Sequence, residues 1–186
     1  MQILSGYLNA HYSDGRPLSV SASVAFEQSY GSIDGDSASA AELIAILSAI
    51  ADVPLNQSIA ITGAMDQHGV MQPIGGVNEK IEGFFDVCAA RGLGMHHGVV
   101  IPAANVVNLM LREDVVEACA SGRFRVYAVE DVDGAIEVLS GRKAGVRTRH
   151  GNFTKGSFNA AVAERLSWFA RPRLAHPIHL DGWWRF

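Results

Sequence analysis

Ser37 and Lys80 are the two side chains whose types and settings suit nucleophilic chemistry in this 186-residue sequence. Ser37 stands in Asp34-Gly35-Asp36-Ser37-Ala38-Ser39, directly ahead of an apolar segment with helical spacing. Lys80 stands in Gly75-Gly76-Val77-Asn78-Glu79-Lys80, one turn past a glycine pair that opens another such segment. A serine hydroxyl attacks a carbonyl only when a nearby base takes its proton. Histidine is the usual base, and the sequence has seven. His96-His97 precede an apolar strand, His68 sits in a turn, and His11, His150, His176 and His179 are scattered. None shows the His-x-x-x-His spacing of paired metal ligands, so neither a metal site nor a histidine triad is expected.

Lysine serves as base when it is neutral. For an ordinary lysine that takes a fall of about 3 pKa units by desolvation, or about 4 kcal/mol. Lys80 is the only lysine before Lys143, and Val77, Ile81 and Phe84 around it are apolar. The positive end of its helix dipole also disfavours an added cation. Glu79 opposes the shift, but adjacent helical side chains diverge by about 100°. Ser37, at a helix start behind a glycine-rich loop, lies near backbone amides able to take a developing oxyanion. Each residue also has a plainer role, the serine as a helix N-cap and the lysine as a solvated surface charge. Residue types alone leave both roles open.

The elements that would position the pair follow from periodicity. Ile3 to Ala10 and Leu18 to Phe26 alternate apolar with small or polar residues around Ser13-Asp14-Gly15-Arg16-Pro17, which predicts an opening β-hairpin. Glu27 to Asp36 loses all period and reads as the loop that delivers Ser37. Leu43, Ile44, Ile46, Leu47 and Ile50 fall at helical spacing until Asp52-Val53-Pro54, and Ser39 with Glu42 matches a capping box. Ile59 to Thr62 predicts a strand ended by Gly63, and Met65 to Met71 a turn and a short strand. A helix then carries Val77, Ile81, Phe84, Phe85 and Cys88 inward and stops near Arg91-Gly92. Val99 to Ile101 is an apolar strand, and Pro102 starts a helix with Val106, Leu109, Met110, Val115, Val116 and Cys119 inward. Phe124 to Val129 is a strand and Val132 to Leu139 a helix. Strands alternating with helices imply βαβ connections, so the fold class is mixed α/β, or α+β when the antiparallel hairpin is counted.

The apolar share of 48% and charged share of 18% fit a folded chain. Its net charge of -4 is unevenly spread: nine of the fifteen lysines and arginines fall from Arg142 onward, where the acids are Glu164 and Asp181. The expected division is a domain over 1–141 and a basic extension over 142–186, in which Ala160 to Phe169 reads as one more helix. The extension carries no nucleic-acid recognition motif to accompany its charge, so nucleic acid is not the expected partner. Cys88 and Cys119 sit in helical apolar patterns, as small buried hydrophobes do in a reducing compartment. Neither has the charged or glycine-rich setting that activates a thiolate. No apolar run reaches the length of a membrane span, and the chain reads as cytoplasmic.

Phe26-Glu27-Gln28-Ser29-Tyr30, the Gly-Asp-Ser-Ala-Ser segment at 35–39, Thr62-Gly63 and Pro73-Ile74-Gly75-Gly76-Val77-Asn78-Glu79-Lys80-Ile81 together resemble the proteolytic domain of Lon-type ATP-dependent proteases, closest to the B-type branch. The resemblance runs from about Ile3 to Leu139. It implies the α+β fold of that family, Ser37 as acylating nucleophile, Lys80 as general base and Thr62 as a hydroxyl that orients the lysine. It further implies an oxyanion hole at the amides of Asp36 and Ser37. An unfolded protein or peptide substrate would lie extended beside the segment leading to Ser37, like an added strand. The family assembles as a hexameric ring behind an AAA+ ATPase module that unfolds and feeds substrate. No Gly-x-x-x-x-Gly-Lys-Ser/Thr loop occurs here, so ATP is expected to act on the longer protein and no cofactor within this chain. Met1 directly ahead of the first predicted strand favours a piece of that longer protein. The expected function is a serine endopeptidase, the proteolytic part of an ATP-dependent protease of unfolded or regulatory proteins. Two other readings stay open: a non-catalytic interaction domain with a basic tail, and Ser/Lys amidase chemistry on a small molecule.

Overall fold

A computed structural model of the protein describes residues 2–13, 18, 20–22, 24 and 35–171. In chain order the elements are α1 (Gln2–Tyr12), α2 (Ser39–Ala51), β1 (Ile59–Ile61), β2 (Ala64–Met65), β3 (Met71–Gln72), α3 (Val77–Ala90), β4 (His97–Pro102), a 3-10 helix (Ala103–Asn108), α4 (Glu113–Ala120), β5 (Phe124–Val129), α5 (Val132–Ser140) and α6 (Phe158–Phe169). Strands β1, β4 and β5 form a parallel sheet in that spatial order, with Ile59 opposite Gly98 and Val99 opposite Val126. Parallel neighbours need crossover connections. α3 supplies one between β1 and β4, and α4 supplies the other between β4 and β5. The mixed α/β class follows. β2 and β3 make a separate antiparallel pair.

Central strand β4 shows why the sheet is covered on both faces. Its run Gly98-Val99-Val100-Ile101-Pro102 is buried throughout, and successive side chains of a strand point to opposite faces. Val99 and Ile101 join Val77, Ile81 and Phe85 of α3, Val115 and Ala118 of α4, and Phe124. Val100 joins the larger cluster built from α1, α2, α5 and α6. One helical layer therefore carries α3 and the other carries α2, with the sheet between them.

Two sequence expectations are corrected. Ile3 to Ala10 is not a strand: Gln2–Tyr12 is the helix α1. Leu4, Tyr7 and Tyr12 are buried and Leu8 packs beside them, a 3.6-residue stripe that a short window confuses with alternation. Most of the partner strand, Leu18 to Phe26, lies outside the described residues, and none of those described is in a strand. The second correction concerns 102–119, which is not one helix. The amide of Met110 donates to Asn78 Oδ1 and that of Arg112 to Glu82 Oε1, both side chains of α3. These bonds replace helical ones, the chain extends at Leu109 with ψ 122°, and Val106, Met110 and Val116 face outward.

Past Gly141 the chain returns to the main core. Helix α6 packs against α2, and Phe158, Val162 and Leu166 enter the same cluster as Leu43, Ile44 and Leu47. Ser157 caps it by accepting from the Ala160 amide, and the Phe158 amide donates to Lys143 O. A buried polar chain ties three helices: Tyr12 Oη donates to Asn159 Oδ1 at 2.6 Å, and Asn159 Nδ2 donates to Asp133 Oδ1 at 3.0 Å. Burial pushes the Asp133 carboxyl up from its ordinary value, only partly offset by the Asn159 bond. A raised carboxyl binds its proton more tightly in the folded than in the unfolded chain. Its charged form thus opposes folding at neutral pH, and the opposition fades as pH falls through the folded value. Asp133→Asn, whose carbonyl still accepts from Asn159, is expected to raise the urea midpoint at pH 7. The gain should shrink at pH values below the ordinary carboxylate range. A destabilised variant at pH 7 would contradict it.

Candidate active site

Two turns set the site. α2 starts at Ser39 with Ala38 as its N-cap, so Ser37 sits two residues ahead of the helix. The capping box expected at Ser39 does not form. Ser39 Oγ instead accepts from the Met65 amide at 3.1 Å, fastening the helix start to strand β2. The amide of Ser39 donates to Asp36 O at 2.9 Å and that of Ala40 to Gly63 O at 3.3 Å. Both of these amides are engaged.

The backbone of Ser37 is held from the sheet side. Ser37 O accepts from the Gly63 amide at 2.8 Å and from Thr62 Oγ1 at 3.4 Å. Thr62 in turn donates its amide to Val100 O of central strand β4, 3.0 Å away. A Cβ at position 63 would meet the Met71 methyl and lie 3.2 Å from the Pro102 ring, so the site is tight around Gly63. A side chain there would displace the Met71 methyl and press on the Pro102 ring.

The lysine arrives from the opposite layer. α3 opens at Gly76, which caps it in the left-handed region at φ 68°. Lys80 lies one turn later, its amide donating to Gly76 O at 3.1 Å. Val77, Ile81, Phe85 and Cys88 bury the helix's other face. Lys80 Nζ reaches Ser37 Oγ at 2.8 Å, across 43 residues of sequence. Glu79 bends back toward the helix start, with Oε2 3.6 Å from where a Gly76 Cβ would be. Ser37 is partly buried, whereas Asp36 and Lys80 are exposed.

The four sequence-derived positions, Ser37, Lys80, Thr62 and Asp36, therefore fall in one place with different geometry. Ser37 and Lys80 meet side chain to side chain. Thr62 presents its hydroxyl to the Ser37 carbonyl, and Asp36 contributes its carbonyl to the turn. Asp34 lies outside the described residues. What the sequence did not single out is the bracing: Gly63 as a backbone clamp, Ser39 on Met65, and Asn105 and Asn78 around the start of α3. The Thr62-Gly63 pair was a signal for the first, whereas asparagines inside an expected helix gave none.

A serine hydroxyl in contact with an amine, beside a helix start, suits acyl transfer. A cavity of about 900 Å³ lies elsewhere, between α6 and the 142–157 segment. Its lining includes Tyr12, Phe153 and Glu164 but neither Ser37 nor Lys80. A smaller cavity, about 500 Å³, is lined by Pro73 to Glu79 with Asn105 and Asn108, directly ahead of Lys80.

Residues 27–140 match the Lon protease (S16) C-terminal proteolytic domain. An Escherichia coli K12 protein named as a Lon protease homolog is 52% identical over 139 residues, 75% of this chain and 24% of its own length. A Haemophilus influenzae Rd protein of the same name is 54% identical over 125 residues, 67% of this chain and 21% of its own length. The Archaeal Lon protease of Methanocaldococcus jannaschii is 48% identical over 92 residues, half of this chain and 13% of that protein. The chain thus spans a quarter or less of the length of these relatives.

Proposed function

The chain belongs to the Lon protease (S16) C-terminal proteolytic domain family, and from that premise we propose that it is a serine endopeptidase working through a Ser37/Lys80 dyad. A protease is what the family supplies. The observation that supports the dyad is the 2.8 Å contact between Lys80 Nζ and Ser37 Oγ. Neutral Lys80 takes the hydroxyl proton as Oγ bonds to the scissile carbonyl carbon. Amides of Asp36 and Ser37 stabilise the resulting oxyanion. The C–N bond then breaks, Lys80 returns the proton to the leaving amine, and an acyl-enzyme remains on Ser37. Water enters by the same exchange in reverse and frees the serine. Thr62, holding the Ser37 carbonyl, keeps the nucleophile's turn in place; orienting the lysine as well is part of the proposal.

Lys80 is exposed in the single chain, and a neutral lysine needs water excluded. The polypeptide lying over the dyad would exclude some, and a neighbouring copy in a hexameric ring would exclude more. The reading extends to unfolded or regulatory proteins as substrates. It also includes an AAA+ ATPase module of the longer protein that spends ATP to deliver them, and a cytoplasmic setting. No helix among the described residues is long and apolar enough to cross a membrane. The test is mass spectrometry of casein incubated with the wild-type chain and with Ser37→Ala. Fragments that appear only with the wild type support the reading. Fragments that persist with Ser37→Ala, or none from either, overturn it for this chain.

A further inference from the structure

We infer that Asn105 is a positioning residue for Lys80, acting through the backbone of Ile74; the inference rests on the Ser37/Lys80 reading. Asn105 is 2% exposed, and both ends of its amide are spent on one residue. Oδ1 accepts from the Ile74 amide at 3.0 Å and Nδ2 donates to Ile74 O at 2.9 Å. A buried side-chain amide that bonds both the N–H and the C=O of one residue ties down the two peptide groups on either side of its Cα.

Ile74 is where such a hold matters. The two residues after it, Gly75 and Gly76, start α3, and glycines restrict the backbone least. Among the described residues nothing lies within 4 Å of where a Gly75 Cβ would be, and the Glu79 carboxylate alone approaches Gly76. The turn is thus neither stiff by composition nor wedged by packing. Its fixed points are its flanks. Ile74 is clamped by Asn105, and Asn78, past the turn, accepts from the Met110 amide at 2.8 Å and donates to Asn108 O at 3.0 Å. Lys80 belongs to the first turn built on those points. A shift of about 1 Å in a catalytic group costs on the order of 10²-fold in rate, and a lysine on four rotatable bonds has no rigidity of its own to resist one. The break of 102–119 into two helices, with Asn105 turned inward, gives the segment this bracing role.

The chain holds three lysines, Lys80, Lys143 and Lys155, so lysine labelled with ¹³C at Cε gives a spectrum simple enough to report on Lys80 alone. Ser37→Ala is expected to move the Lys80 signal in the otherwise wild-type chain, because the contact partner is removed. In an Asn105→Ala background the same change should leave that signal nearly still, the contact being already lost. Asn105→Asp, isosteric and still able to accept from the Ile74 amide, should give an intermediate response and serves if the alanine variant does not fold. On casein, both variants should lower kcat, by about 10²-fold for alanine, with KM little changed. Equal Lys80 responses to Ser37→Ala with and without Asn105 would overturn the positioning role while leaving the dyad intact. No Lys80 response in the wild-type chain would overturn the dyad, and the inference with it.

Discussion

Lys80→Ala is expected to lower casein cleavage by about 10²- to 10⁴-fold, the usual contribution of a general base, while circular dichroism and the thermal midpoint stay close to wild type. The fold should tolerate the change because Lys80 is exposed and α3 is held by Val77, Ile81, Phe85 and Cys88 on its other side. Loss of activity alone does not separate a base from a cation that merely attracts substrate. Lys80→Arg does, since a guanidinium keeps the charge but cannot give up a proton at workable pH. If the amine accepts the Ser37 proton, arginine should be as inactive as alanine. Substantial cleavage by Lys80→Arg would mean that only charge is needed, and the base would have to be sought elsewhere.

Removing residues 142–186 is expected to unfold the chain rather than trim it. The cut takes away Phe153, Phe158, Val162 and Leu166, all buried in the cluster that holds α2. At roughly 1.5–3 kcal/mol per buried side chain, an upper estimate, the loss is about 6–12 kcal/mol. That matches the entire stability of an ordinary domain, about 5–15 kcal/mol. Leu43, Ile44 and Leu47, each 0% exposed, would face water. Near-UV circular dichroism and urea unfolding of the truncated chain check this directly. Phe158→Ala in the full chain should cost about 3–5 kcal/mol by the same packing. A truncated chain that unfolds cooperatively at the wild-type urea midpoint would show α6 to be dispensable.

The sheet and its crossovers were legible because buried parallel strands are short apolar runs, as Val99 to Ile101 is, and because glycine pairs and prolines punctuate the helices. The opening segment was not. Leu4, Tyr7, Leu8 and Tyr12 carry a helical stripe, but Gly6, Ala10 and the serine and asparagine between them also satisfy alternation, and eight residues do not separate the two periods. The expected helix from Pro102 failed for a different cause: Asn78 and Glu82 of α3 take the amides that helical bonding would have used. Tertiary partners of that kind leave no trace in local spacing. At the site, Ser37 and Lys80 were nameable from their helix starts. That their side chains approach within 2.8 Å depends on two layers meeting across a sheet, which no window of sequence contains.

The packing of α6 on α2 also orders events during synthesis. Ser37 and Lys80 emerge early, but the helix behind Ser37 has its main apolar support in residues made more than a hundred positions later. While a chain is still being made, that face of α2 is uncovered and the Ser37 turn lacks its backing. It follows that the turn carrying Ser37 gains its full backing only after Leu166 has left the ribosome.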